Sequence, residues 1–181
     1  GIWKTLNAGV TFKPIFDKYC QSIGAIAIDQ KNPKVIYAGT GESNMRNSVS
    51  IGDGFYKSTD EGDNWTKTGG LDSTEHIAKI AIDPVNPDVI FVAAPGPLWS
   101  DSRHRGLYKS TDAGKTFEKV LYINDKAGCA DVAIDPKNPN TIYAGSASGG
   151  LWRTYSSGTG AQAWHQVATG FPLLGVAAIT I

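Results

Sequence analysis

The chain has 181 residues, with 17 Lys+Arg against 17 Asp+Glu and a formal charge of zero at pH 7. That balance excludes a basic nucleic-acid module and a polybasic membrane anchor, which need surplus positive charge, and no apolar run reaches the roughly 18 residues of a membrane span. Gly occurs 21 times and Leu 8 times, while Ile and Val together total 26, a bias toward strands and turns over helices.

In chain order, GIWKTLNAGVTFKPI (1–15) reads as two short strands around a turn. IAIDQKNPKVIYAG (26–39) follows as two strands around an Asn-Pro turn, then GFYKSTDEGDNWTKT (54–68) as two more around Asp60-Glu61-Gly62. Both units return, as IAIDPVNPDVIFVA (80–93) with GLYKSTDAGKTFEKV (106–120), and as VAIDPKNPNTIYAG (132–145) with GLWRTYSSGTGAQAWHQV (150–167). Asp29, Asp83 and Asp135 mark periods of 54 and then 52 residues. Each period holds four short apolar runs separated by turn signals, the pattern of a four-stranded antiparallel meander. One such meander is too small to bury its faces alone, so the copies must stack. The expected fold is all-β, a β-propeller with four-stranded blades. Its boundaries fall near a partial blade at 1–16, complete blades at 24–68, 78–120 and 130–168, and the first strand of another at 176–181. Fifteen strands leave a shared closing blade without its second strand, so we expect a portion of a larger ring of six or more blades.

Ser58-Thr59-Asp60-Glu61-Gly62-Asp63-Asn64-Trp65 and Ser110-Thr111-Asp112-Ala113-Gly114-Lys115-Thr116-Phe117 match the pattern S-x-D-x-G-x-T-W. A looser copy keeps Thr5, Asn7, Gly9, Thr11 and Phe12, and the last keeps Thr154, Gly158 and Trp164. On these motifs the chain resembles the Asp-box (BNR) β-propellers, which include sialidases, xyloglucan-active glycoside hydrolases and sortilin-type receptors. The Asp-Pro-x-Asn-Pro turn and Tyr-Ala-Gly strand end are similar to those of bacterial secreted proteins described as sortilin-like or glycosyl-hydrolase-like. The resemblance implies a secreted, periplasmic or cell-surface protein. Asp60 and Asp112 themselves read as scaffold. An Asp in a tight turn accepts backbone N–H groups, Gly62 and Gly114 supply φ > 0, and Trp65 and Phe117 pack between blades. A feature repeated in each blade is not a catalytic constellation, which needs one unique set of residues.

In a meander the Asn-Pro and Asp-x-Gly turns lie on one face of the ring. The irregular connections lie on the other: 41–53, 94–105, and the links 14–23, 69–76, 121–128 and 169–175. Binding and catalysis concentrate on such loops, whereas Ser146–Gly149 is minimal. The polar and aromatic candidates there are Glu42, Arg46, Asp53, Asp72, Glu75, His76, Trp99, Asp101, Arg103, His104, Arg105 and Asp125. Two carboxylates beside an aromatic suit glycoside hydrolysis, which nominates Glu42 and Asp101 as catalytic acids. It leaves Arg46, Asp53, His76, Trp99, Arg103, His104 and Arg105 as the binding face. Xyloglucan-active relatives place a catalytic Asp just after a blade's second strand; here Gly41 holds the nearest place and Glu42 follows one residue later. The sialidase arrangement of three arginines on successive blades is not met by Arg46, Arg103 and Arg105.

His76, His104 and His165 share no metal-ligand spacing, and the turn 60–71 ends on Leu71 where a calcium loop needs Glu. No phosphate or dinucleotide fingerprint occurs, so neither metal nor cofactor is expected. Cys20 and Cys129, in links two blades apart, read as isolated buried thiols with a disulfide between them as the alternative, and the Asn64-Trp65-Thr66 sequon as hidden by its strand. The leading expectation is a non-enzymatic portion of a propeller that binds glycan, peptide or protein, with the parent's remaining blades as further partners. Part of a glycoside hydrolase and a structural cell-surface ring are the alternatives.

Overall fold

A computed structural model describes residues 1–44, 46–167 and 175–181. Among them the strands are β1 (Trp3–Lys4), β2 (Lys13–Pro14), β3 (Ile23–Ile28), β4 (Ile36–Thr40), β5 (Phe55–Ser58), β6 (Thr66–Thr68), β7 (Lys79–Ile82), β8 (Ile90–Ala94), β9 (Gly106–Ser110), β10 (Glu118–Leu121), β11 (Asp131–Ile134), β12 (Ile142–Ser146), β13 (Gly150–Thr154) and β14 (His165–Gln166). They form three four-stranded antiparallel meanders, β3–β6, β7–β10 and β11–β14, preceded by the pair β1–β2. The first strands β3, β7 and β11 lie side by side, so each sheet runs outward from a common inner edge. This is the blade arrangement of a β-propeller.

Period-two alternation decides the packing. All five residues of β8 are buried. Ile90, Val92 and Ala94 pack with Tyr37, Phe55, Leu71 and Ile77 of the preceding blade, while Phe91 and Ala93 pack with Val132, Ile142 and Ala144 of the following one. β4 repeats the scheme: Ile36 and Ala38 meet Ile2, Phe16 and Trp65, and Tyr37 faces the other way. A blade is therefore a two-sided wedge, and its neighbours supply the core that it lacks.

The Ser-x-Asp-x-Gly turns are closed by their own side chains. Ser110 Oγ donates to Asp112 Oδ1 at 2.8 Å and accepts from Gly114 N at 2.9 Å; Asp112 Oδ1 then accepts from Thr116 N at 2.9 Å. Ser58, Asp60, Gly62 and Asn64 repeat this at 2.8–2.9 Å, and Thr5, Asn7, Gly9 and Thr11 keep it with an amide in place of the carboxylate. Ala113 and Gly114 are both left-handed, φ 57° and 81°, and a Cβ on Gly114 would stand 2.9 Å from Phe55 Cε1. Glycine is thus required twice there, for conformation and for space. The donors around Asp60 and Asp112 hold both carboxyls down to about 2, the Asn64 and Thr116 side chains contributing most.

Each turn is also fastened to the blade before it. Lys4, Lys57 and Lys109, at one repeat position on successive third strands, donate to the backbone carbonyls of Glu61, Ala113 and Ser157 at 3.0, 2.9 and 2.7 Å. Lys57 and Lys109 lie over the rings of Tyr37 and Phe91 on the way, their stems covering aromatic surface while the ammonium finds an acceptor.

Three sequence expectations are corrected. Residues 176–181 form no strand: Val176 N bonds to Ser146 O and Ile179 N to Asp131 Oδ2, and no second strand lies beside them among the described residues. Asn64 is exposed, its amide donating to Asp60 Oδ2 at 2.8 Å. Cys20 is only half-buried, whereas burial pushes the Cys129 thiol up to about 12; neither is in a disulfide.

Phe91 is fully buried and Val85 is 64% exposed. Phe91→Ala is expected to cost about 3–5 kcal/mol and Val85→Ala less than about 0.5 kcal/mol in chemical denaturation. The pH dependence of the turns has a defined sign. The Asp112 pKa is depressed on folding from 3.8 to about 2, so its stabilisation is complete above pH 4 and is lost on acidification toward pH 2. Asp112→Asn should flatten that limb of the stability curve, and an unchanged limb would contradict the role given to the carboxylate.

Candidate functional site

On the irregular side, where the first strands begin, lies a cleft of about 480 Å³ built from all three blades. Ser43 and Asn44 follow β4, Ala78 and Lys79 open β7, Pro95 and Arg105 bracket the β8–β9 connection, Ala130 and Asp131 open β11, and Ala147 and Ser148 follow β12. Asp131 is buried. Its Oδ1 accepts from Val132 N at 2.9 Å, its Oδ2 from Ile179 N at 2.6 Å, and Lys79 Nζ stands 3.8 Å away. Beside the cleft runs a groove of about 380 Å³ lined by Asp101, Asn124, Asp125, Lys126, Ala127 and Ser148. Lys126 and Ser148 line both. The volumes fall in the range of small-molecule sites.

The nominated residues divide sharply. Glu42 is closed onto its own loop: Arg46 Nε donates to Oε1 at 2.6 Å and Arg46 Nη2 to Oε2 at 3.0 Å, with Ser50 N on Oε2 at 3.3 Å. The Arg46 bonds hold the Glu42 carboxyl below its ordinary range, and Glu42 lines neither the cleft nor the groove. Asp101 lines the groove in company with Asp125. The Tyr122 hydroxyl donates to Asp125 Oδ1. Asp53 staples the foot of its loop, accepting from the Tyr56 hydroxyl at 2.6 Å and donating through its amide to Thr40 Oγ1 at 2.8 Å. Trp99, Arg103 and His104 are exposed.

His76 and Arg105, expected on the surface, are inside. His76 is 1% exposed. Its amide bonds to Thr74 O at 2.7 Å, and Ile77 N bonds to Thr40 O at 3.0 Å, which draws the link under the preceding blade. Its Nδ1 has no hydrogen-bond partner, and burial pulls its pKa below the ordinary histidine value with Glu75, Glu42 and Arg105 as the charged groups around it. Arg105 is 8% exposed and gives its guanidinium to four backbone carbonyls, those of Asp125 (2.8 Å), Ser100 (2.9 Å), Pro95 and Pro97. The His76 ring is buried away from solvent, while Arg105 fixes the connection 95–105 and forms part of the cleft wall.

Lys79, Asp131 and Lys126 were missed. Lys79, Asp131 and Ala25 occupy one repeat position, four residues before Asp83, Asp135 and Asp29. An unlike residue at a repeating place, where the inner strands begin, is the signal that could have found Lys79 and Asp131; Lys126 lies in a non-repeating link and has no such signal. No group of His, Cys, Asp and Glu among the described residues has a metal-binding arrangement, and no described helix is long and apolar enough to cross a membrane. The link 169–175 lies outside the described residues except for Gly175, as does Met45.

No family model matches the chain. It is 29% identical over 174 residues to a xyloglucanase of Hypocrea jecorina, covering 93% of this chain and 17% of that protein. It is 30% identical over 149 residues to a probable oligoxyloglucan-reducing end-specific xyloglucanase of Neosartorya fischeri, covering 74% of this chain and 16% of that protein. The chain thus spans about a sixth of the length of these relatives. Among solved structures it resembles an ancestral GH74 enzyme (TM-score 0.68, 21% identity, 93% of this chain and 21% of that one). The GH74 xyloglucanase from Xanthomonas campestris also resembles it (TM-score 0.59, 20% identity, 87% and 25%), as does YCF48 from Cyanidioschyzon merolae (TM-score 0.52, 16% identity, 80% and 36%). At these identities the structural likeness is one of fold. The chain is a stretch of β-propeller with xyloglucanases among its sequence homologues.

Proposed function

We propose that the chain is part of a secreted glycoside hydrolase of the Asp-box propeller type, acting on a xyloglucan-like polysaccharide through its irregular face. The observation that carries this reading is the match to the xyloglucanase of Hypocrea jecorina along 93% of the chain. The chemistry of the face agrees with it. Glycoside hydrolysis uses two carboxylates flanking the bond, one to protonate the leaving oxygen and one to act as base or nucleophile. Asp101 and Asp125 share one open groove and are the pair we assign, in place of Glu42 with Asp101. In this assignment Asp125, which accepts the Tyr122 hydroxyl bond, takes the base or nucleophile role and Asp101 the acid. Glu42, with both oxygens engaged by Arg46 and Oε2 also by Ser50 N, is tied to its own loop and lines neither the cleft nor the groove.

A non-catalytic glycan-binding propeller is the second reading, favoured by the closing of Arg46 over Glu42, the acid nearest to the place where xyloglucan-active relatives carry theirs.

In the intact protein, Asp101→Asn and Asp125→Asn should each lower the rate of reducing-end release from xyloglucan by about a hundredfold or more while leaving polysaccharide binding in place. Full turnover in both variants would remove the pair from catalysis. Binding without turnover in the unmutated protein would establish the second reading.

A further inference from the structure

The link from the β3–β6 blade to the β7–β10 blade passes through one turn of 3-10 helix, Asp72–Thr74, and then through Glu75, His76 and Ile77. It is held at both ends of the connection 41–53: Gly52 N bonds to Glu75 O at 2.8 Å, and Ile77 N to Thr40 O at 3.0 Å. The fit is close. A Cβ on Gly41 would stand 2.8 Å from His76 Cα and 2.9 Å from His76 Nδ1. Glu75 holds φ 60° with ψ −35°, a left-handed conformation that a residue with a Cβ adopts only under strain. Beside it, the His76 ring is buried and its Nδ1 has no hydrogen-bond partner. Strained backbone and an unpaired buried nitrogen each cost stability, and here they adjoin in one link. The charged groups around the ring come from three elements: Glu75 from the link, Glu42 from the connection 41–53 and Arg105 from the connection 95–105. The two acids favour a proton on the ring and Arg105 opposes it. Glu42 is already engaged by Arg46, so burial prevails and holds the His76 pKa below the ordinary 6.5. An imidazolium in this place would have a donor at Nδ1 and no acceptor for it.

We propose that His76 is a pH-sensitive catch on the joint between these two blades. Neutral, the ring stays packed under Gly41, and the link keeps its bonds to Gly52 and Thr40. When a proton from solvent converts it to imidazolium, the ring moves out to water, Glu75 relaxes, and both bonds break while each blade keeps its own ladder. The sign follows from linkage. The open joint binds the proton at the ordinary value of 6.5 and the closed joint only at a lower pH, so acidification through 6.5 favours opening. Ala78 and Lys79 follow directly in the chain and line the 480 Å³ cleft, which is therefore fully formed above that pH and loosens below it. The catch stands apart from the glycan reading; its consequence for a ligand in the cleft rests on it.

The test is amide hydrogen exchange of the protein without ligand, read by NMR and corrected for the intrinsic rate at each pH. Between about pH 7.5 and about pH 5.5, opening reported by the amides of Gly52 and Ile77 should rise about tenfold. The turns 58–64 and 110–116, whose Asp60 and Asp112 carboxyls titrate near 2, should keep their protection over the same range. His76→Leu, which fills the place without a titrating group, should abolish the rise. If that variant does not fold, the unmutated protein decides: the His76 ring should titrate below the exposed His104 and His165, with Gly52 exchange following its titration. A rise that survives in His76→Leu, or one shared by the turns, would overturn the catch. So would a His76 ring that titrates together with the exposed histidines. These measurements contain no glycan, so their failure leaves the hydrolase reading untouched, and full turnover in the Asp101 and Asp125 variants would leave the catch standing.

Discussion

The burial of each second strand on both of its faces is the constraint from which the rest of the structure follows. A blade of strands two to six residues long cannot enclose a core, so β8 sends Ile90, Val92 and Ala94 one way and Phe91 and Ala93 the other. Close approach of neighbouring blades then sets the small residues. A Cβ on Gly39 would overlap the Ile77 side chain, and one on Gly24 the Ile77 carbonyl. The same approach brings the third-strand lysines within reach of the next blade's turn, so the turns are fastened as well as closed.

That fastening divides the two faces. On one, the Asp side chains of the Asn-Pro and Ser-x-Asp-x-Gly turns are spent on their own backbone, as Asp83 is on Val85 N and Asn86 N at 2.7 and 3.0 Å. Little is left there to meet a ligand. On the other face the connections differ from blade to blade, and Asp101, Asp125 and Lys126 gather where the β8–β9 connection meets the link into β11. A rigid repeating frame with a variable rim is the usual division between stability and function in such folds.

The blades were legible because apolar alternation, Asn-Pro turns and the Asp-x-Gly signature agree within each period. Burial of individual loop residues was not. His76 and Arg105 stand among polar neighbours in stretches that read as exposed, and only tertiary placement shows them inside. His76 is drawn in by the bond from Ile77 N to Thr40 O, and Arg105 by carbonyls from two separate connections. Glu42 was a plausible acid by position, but the sequence does not announce that Arg46, four residues on, closes over it. Residues 176–181 carry a strand's composition, yet a strand needs a partner to pair with, and none stands beside it among the described residues.

The claim that the repeating face is scaffold and the irregular face is the site can be tested most directly by hydrogen–deuterium exchange of the intact protein with and without xyloglucan oligosaccharides. The account predicts that ligand slows exchange in the connection 95–105 and the link 122–130, and leaves the turns at 29–35, 58–64, 83–89 and 110–116 unchanged. Protection confined to those turns, with the irregular connections exchanging as before, would contradict it.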